Sequence, residues 1–204
     1  MGGLGTPTSG VKSRVSFLAA YYDLADRLTD TVDVGTNGGS VYTRPGTVPG
    51  RSDTVLVQSV TYNAAGWAEN STDPRGLVAR VLYDRLGRTT TSIENYVDGA
   101  PSAADDRTLK YTYDGNSNLL TVTADLPSGS NDQTTQYVYG VAGGGSDIYA
   151  NDLLAEVRYP DPSSGAASST DKEVYTVNAL GDVKTFTDRI GNVHTLISDN
   201  YSSP

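Results

Sequence analysis

The chain has no cysteine, and its 204 residues include one methionine, one histidine, one tryptophan and two phenylalanines. Without cysteine there is no disulfide framework, no cysteine-ligated zinc and no thiol nucleophile. One histidine, His194, offers too few nitrogen ligands for a transition-metal centre, so neither a metal nor any other cofactor is expected. Positive charge is also scarce: 15 Lys and Arg stand against 24 Asp and Glu, for a net charge of -9. The basic residues are scattered, which argues against nucleic acid as a partner, because phosphate binding needs clustered Lys and Arg. No apolar run approaches the ~20 residues of a membrane-spanning helix. Residues 15–22 follow Lys12 and Arg14 but end at Asp23 without a small-residue cleavage site, so no signal peptide is expected.

What the chain does have is 22 glycines and 14 tyrosines, so tyrosine carries nearly all of the aromatic burial. Thr, Val, Tyr and Gly favour strands and turns, and no window longer than about ten residues keeps a 3.6-residue apolar period. The expected class is all-β. The length suits one domain, placed at 15–199 between flexible ends at 1–14 and 200–204.

A pattern recurs. "VTYNAAGW" and "VLYDRLGR" each end a strand-like run in Tyr, follow it with Asn or Asp, and place Gly three residues later: Tyr62, Asn63 and Gly66, then Tyr83, Asp84 and Gly87. A variant at Val177, Asn178 and Gly181 has Tyr175 two residues earlier, and looser copies begin at Tyr22-Asp23 and Tyr113-Asp114. A second turn keeps phase with the first, since Asp73 and Asp188 each lie ten residues after Asn63 and Asn178 and open "DPRG" (to Gly76) and "DRIG" (to Gly191). The two turns define a unit of about 20 residues, the mark of a repeat array.

The repeated residues are turn chemistry. Asp or Asn can bond backbone amides beyond it, and Gly supplies the positive φ that closes a short hairpin loop with a bulge. Replacing Gly66 or Gly87 is expected to strain the backbone, whereas Gly99 and Gly144, in longer loops, are expected to be more forgiving. Between turns the residues alternate: in "TLKYTY", Leu109, Tyr111 and Tyr113 are assigned to a covered face and Thr108, Lys110 and Thr112 to a wet one. Hairpins in series make an antiparallel meander with the Tyr-Asp turns along one edge. Insertions at 35–53, 98–107, 126–133 and 160–171 fall at the opposite edge, and only 140–152 enlarges a first turn. One rim should be tight and the other ragged.

"YDRLGR", "YDGNSNLL", "STDPRGLVARVLYD" and "DRIGNVH" resemble the YD-repeat, or Rhs-repeat, family over roughly residues 21–199, with degenerate first and fifth units. The resemblance implies a curved, twisted sheet of YD-repeat hairpins, part of a β-shell that encloses a polypeptide, often a toxin, in secreted or cell-surface bacterial proteins. Its implied partners are the remainder of a longer repeat chain or an enclosed polypeptide. About six units are too few for a closed shell. The family's self-cleaving segment is not matched, because "YDRLGRTTTSIEN" lacks its prolines and phenylalanine.

No catalytic residue is expected. His194 in "GNVHTL" lies after a turn, with no Gly-x-Ser-x-Gly elbow anywhere to supply a nucleophile. Asp114, Asn116, Asn118 and Asp125 match positions 1, 3, 5 and 12 of a calcium loop, but Leu119 replaces the needed glycine and flanking helices are absent, so a turn is the reading. Asp105 and Asp106 read as solvated charge. Tyr62, Tyr83, Tyr113 and Tyr139 are assigned to packing along one face. The alternative to a structural role is a glycan- or protein-binding module using the long-loop rim, with stacking candidates in Trp67 beside Tyr62 or in Tyr42 and Tyr96 near that rim. Asn70 and Asn200 begin glycosylation triplets.

Overall fold

The computed structural model describes residues 15–196 apart from 97, 101 and 103. The expected flexible ends 1–14 and 200–204 and the Asn200 triplet therefore lie outside the described residues. The chain is all-β, as its composition predicts. Thirteen strands are described: β1 (Phe17–Tyr22), β2 (Leu28–Gly35), β3 (Leu56–Tyr62), β4 (Ala68–Thr72), β5 (Val78–Tyr83), β6 (Thr89–Glu94), β7 (Arg107–Tyr113), β8 (Leu119–Ala124), β9 (Gln133–Val141), β10 (Ala150–Pro160), β11 (Ala167–Val177), β12 (Val183–Thr187) and β13 (Val193–Thr195). A 3-10 turn at Asn37–Gly39 is the one helical element described. Each strand's hydrogen-bonded neighbours are its neighbours in the chain, which is the meander expected from serial hairpins.

Two compact units divide the chain: Met1–Leu82 with Glu94–Ala100, and Tyr83–Ile93 with Pro101–Pro204. In the first, Ala19, Val32 and Val57 are direct cross-strand partners on β1, β2 and β3, and with Tyr21 they form a buried cluster. The long β2–β3 connection folds back over them, since its Tyr42 and Val55 pack against the cluster beside Val34 of β2. An insertion that reads as a polar loop thus supplies the second layer that a lone sheet lacks.

In the second unit the two sheet faces separate by chemistry. On one, direct partners are Thr112 with Thr121, Thr123 with Thr134 and Thr176 with Thr185, and their hydroxyls bond at 2.6, 3.0 and 2.6 Å. On the other, Tyr111 faces Val122, Tyr137 faces Val157, and Tyr175 faces Phe186, which in turn faces His194. The Tyr175 and Phe186 rings are 5.4 Å apart, and Phe186 and His194 stack at 5.6 Å. Period-two alternation sorts the side chains in this way, and cross-strand pairs then stabilise each face.

The start of β7 departs from the assignment of wet and covered faces. Thr108 is buried and Leu109 is partly exposed, and Asp106, two residues before Thr108 on the same side, is only 7% exposed. The carboxylate of Asp106 accepts from the Ser102 amide at 2.9 Å, while its own amide donates to the Ser102 carbonyl at 2.8 Å. Asp106 therefore ties down its loop and is not solvated charge; alternation along the strand could not reveal these bonds to Ser102.

Candidate functional site: a repeated turn and its arginine–tyrosine coupling

The recurring feature is a five-residue turn built seven times on one plan among the described residues. The first residue is Asp23, Asn63, Asp73, Asp84, Asp114, Asn178 or Asp188. In each, its amide donates to the carbonyl of the fifth residue, and the fourth residue's amide donates back to its carbonyl. Its side-chain Oδ1 accepts from the amides of the third and fifth residues: Leu86 and Arg88 at 2.8 and 3.0 Å for Asp84, Ala65 and Trp67 at 3.0 Å each for Asn63, Ile190 and Asn192 at 3.0 and 2.8 Å for Asp188. One short side chain thus satisfies two amides that a tight hairpin would otherwise leave to water.

The fourth residue takes the left-handed conformation, with φ of 87° at Gly66, 89° at Gly76, 81° at Gly87, 88° at Gly181 and 89° at Gly191. In the two looser copies Asp26 and Ser117 occupy the same place at 57° and 69°. The degenerate units therefore keep the geometry without glycine. Register shifts next to Tyr22, Tyr62, Tyr113 and Val177 are the bulges such turns produce. Gly99 and Gly144, at 83° and 62°, lie in the same left-handed region, so the tolerance expected of the longer loops does not hold there.

An arginine at the fifth position couples one turn to the next strand pair, a role the tyrosine-centred sequence reading missed. Arg88 Nε donates to Asp84 Oδ2 at 2.7 Å, its guanidinium lies 4.8 Å from the Tyr113 ring centroid, and Tyr113 donates its hydroxyl to the Thr89 carbonyl at 2.8 Å. Arg27 does the same in the first unit, pairing with Asp23 at 2.7 Å and lying 4.4 Å over Tyr62, whose hydroxyl donates to Leu28 at 2.7 Å. Each ring is held flat by a cation above and a hydrogen bond at its tip. The signal was in the sequence: Asp and Arg four residues apart, with Tyr about 25 residues after the Arg in the Asp84 copy.

The electrostatics follow from these bonds. The Arg27 side chain, with the turn amides, holds the Asp23 carboxyl below the usual range. For Asp73, Asp84 and Asp114 partial burial pushes the other way, but side-chain partners (Arg75, Arg88 and Asn118) and the turn amides outweigh it. Asp188 is also partly desolvated, yet bonds from the Asn192 amide and side chain, His194 and the Ile190 amide lower it to about 2. Asp114, Asn116 and Asn118 thus serve the turn; Asn118 donates to Asp114 at 2.9 Å, and Asp125 pairs instead with Lys110 at 2.6 Å. Among the described residues no group of three or more His, Cys, Asp or Glu is placed to hold a metal ion, and no helix is long and apolar enough to cross a membrane.

The stacking candidates sit apart. Tyr42 packs on the first unit's core with its ring 6.0 Å from Phe17. Tyr96 is 8% exposed; it donates to the Gly99 carbonyl, and Arg80 donates to its hydroxyl at 2.6 Å. The Tyr96 ring offers no open face, whereas Tyr42 is half-buried. Trp67 is half-buried at the end of the Asn63 turn, on the opposite edge from the long loops. Asn70 spends its side-chain amide on Thr61 Oγ1 at 2.9 Å. The ragged rim is itself built: Asn131 donates to the Ser163 carbonyl at 2.7 Å, and the Thr134 amide to Gly165 at 2.8 Å, clasping the β8–β9 and β10–β11 loops together.

No protein-family model matches the sequence, and no curated protein does. Among solved structures, the Tc holotoxin pore of Photorhabdus luminescens is matched over 86% of this chain at 15% identity with a TM-score of 0.41. The TcdB2-TccC3 crystal structure is matched over 81% at 17% identity and a TM-score of 0.38. The chain spans 9% of the length of each of these. A porin-like protein from Bacteroides uniformis is matched over 94% of this chain and 89% of its own, at 16% identity and a TM-score of 0.27. Similarities this low assign no family.

Proposed function

We propose that the chain is a non-enzymatic structural module of the YD-repeat kind, a length of β-sheet wall that encloses or scaffolds a polypeptide in a secreted or cell-surface bacterial protein. The observation that carries this reading is the turn plan repeated seven times among the described residues. In the Asp23 and Asp84 copies the carboxylate, the guanidinium and a tyrosine of the next strand pair are engaged in closing the hairpin and coupling neighbouring strands, which is the economy of a repeat array whose stability is spread over adjacent units. Partner, location and lack of catalysis follow from that reading. The test is to recover the native protein with an antibody against this segment and measure its intact mass and protease-resistant fragments. A chain longer than 204 residues that shields a second segment from protease is expected; a 204-residue chain shielding nothing would overturn the proposal.

A second reading, a glycan- or protein-binding module, has one observation in its favour. A pocket of about 550 Å³ opens on the long-loop rim of the first unit, lined by Asp33, Thr36, Asn37, Asp53 and Thr54 beside Val34 and Val55. That volume suits a small ligand. A glycan array without a signal above that of an Asp33→Ala, Asp53→Ala control would remove the sugar version.

A further inference from the structure

The turn that ends the β2–β3 connection is fixed at both ends. The Ser52 amide donates to the Val55 carbonyl at 3.0 Å and the Val55 amide donates back to the Ser52 carbonyl at 3.1 Å, which leaves Asp53 and Thr54 at the tip. Asp53 and Leu56 line two pockets at once: the one of about 550 Å³ that also holds Asp33, Asn37 and Thr54, and a second of about 390 Å³ whose other walls include Arg51, Pro74 and Arg75. The two pockets therefore adjoin across the Asp53 turn, both within the first unit. One side is acidic and the other basic.

The fold sets the arginines in place. Arg51 donates Nε to the Val57 carbonyl at 3.2 Å and Nη2 to Ser59 Oγ at 2.6 Å, so β3 holds its guanidinium. Arg75 donates Nε to Asp73 Oδ2 at 2.8 Å, with Nη2 2.7 Å from the same oxygen. Asp73 offsets the charge of Arg75, whereas among the described residues no carboxylate pairs with Arg51. A guanidinium already held in position loses little freedom when it takes an anion, and its planar fork matches a carboxylate. Across the turn the chemistry is the opposite. Asp33 accepts from the Gly35 amide with Oδ1 at 2.7 Å, Asn37 donates Nδ2 to the Ser40 carbonyl at 3.2 Å, and Asp53 is exposed at its tip. The remaining side-chain oxygens of these three are acceptors, which suit neutral hydroxyl donors and repel a second carboxylate.

We propose that the adjoining pockets form one site for an acidic saccharide, with the sugar's carboxylate on Arg51 and Arg75, its apolar ring face on Pro74 and Leu56, and its hydroxyls on Asp53, Asn37 and Asp33. A uronic or sialic acid carries one carboxylate and several hydroxyls on a single ring, which is the pairing of chemistries the two pockets present. An acidic peptide fits less well, because its further carboxylates would meet Asp33 and Asp53. The inference rests on the glycan-binding reading of this rim and names the class of glycan.

Calorimetric titration of the full chain with trigalacturonate, a hyaluronan tetrasaccharide and sialyllactose, each to about 10 mM, tests it, with their methyl esters and lactose as neutral controls. At least one acid should bind, and esterifying it should weaken binding about ten-fold or more, the worth of a charge-assisted hydrogen bond. Arg51→Gln should cause a loss of similar size, and Arg51→Lys a smaller one, since lysine keeps the charge but not the fork. The esters leave the protein untouched, so a loosened loop in the variants cannot imitate their effect. Acid binding that Arg51→Gln leaves unchanged, or triglutamate bound more tightly than the acids, would overturn the proposal. Esters and lactose bound as tightly as the acids would overturn it and leave the glycan-binding reading standing, whereas no binding by any of the saccharides would overturn both.

Discussion

Replacing Gly87 separates the turn plan from a mere resemblance of letters. Its φ of 81° is a conformation an L side chain enters at a cost of roughly 1–2 kcal/mol. Gly115 lies in the corresponding turn of the next hairpin, with ordinary φ and no atom within 4 Å of where a Cβ would go. Alanine there costs nothing in strain and should add about 0.4–1 kcal/mol by restricting the unfolded chain. Gly87→Ala and Gly115→Ala should therefore differ by about 2 kcal/mol. With a urea slope on the order of 2 kcal/mol per molar, the midpoints would sit about 1 M apart. Gly87→Asn should fall between them, because Asp26 and Ser117 show that a short polar residue can occupy this place. Hydrogen exchange localises the effect: the Leu86 and Arg88 amides, both bonded to Asp84 Oδ1, should lose protection first. Equal midpoints for the two alanine variants would refute the reasoning.

Further predictions concern acid, the clasped loops and the ring coupling. The Asp188 carboxyl is held at about 2, below its unfolded value, so its contribution is complete above the ordinary carboxylate range near pH 4 and is lost as pH falls through about 2. Exchange at the Asn192 amide should rise across that window, while the Ala65 amide, bonded to the neutral side chain of Asn63, should show no such step. Gly165→Ala would bring a Cβ to 2.1 Å from the Asp132 carbonyl oxygen, at a φ of +72°, and should cost about 1–3 kcal/mol or more, with the Thr134 amide losing protection. Tyr113→Phe keeps the ring beneath Arg88 but deletes the bond to Thr89, and should lower stability by about 1 kcal/mol in urea unfolding, against no change for Tyr149→Phe at an exposed position.

Local chemistry by itself determined the strands, the hairpins and the order in which they pair. Asp or Asn followed three residues later by Gly is a turn whose bonds are made within five residues, so nothing distant is needed to read it. Alternation assigned most faces for the same reason, since a strand's period depends on its own backbone. The placement of the insertions at one edge followed from counting hairpins. Only the tertiary structure decided what crosses those local units. That Tyr42 closes the first core, that Asp106 is buried, and that Arg44 reaches the Ala20 carbonyl all depend on loops folding back over a sheet, and no periodicity encodes where a loop returns. The Arg88–Tyr113 coupling lies between these cases: its residues recur visibly, but the cation meets the ring only because antiparallel pairing brings positions 25 residues apart side by side.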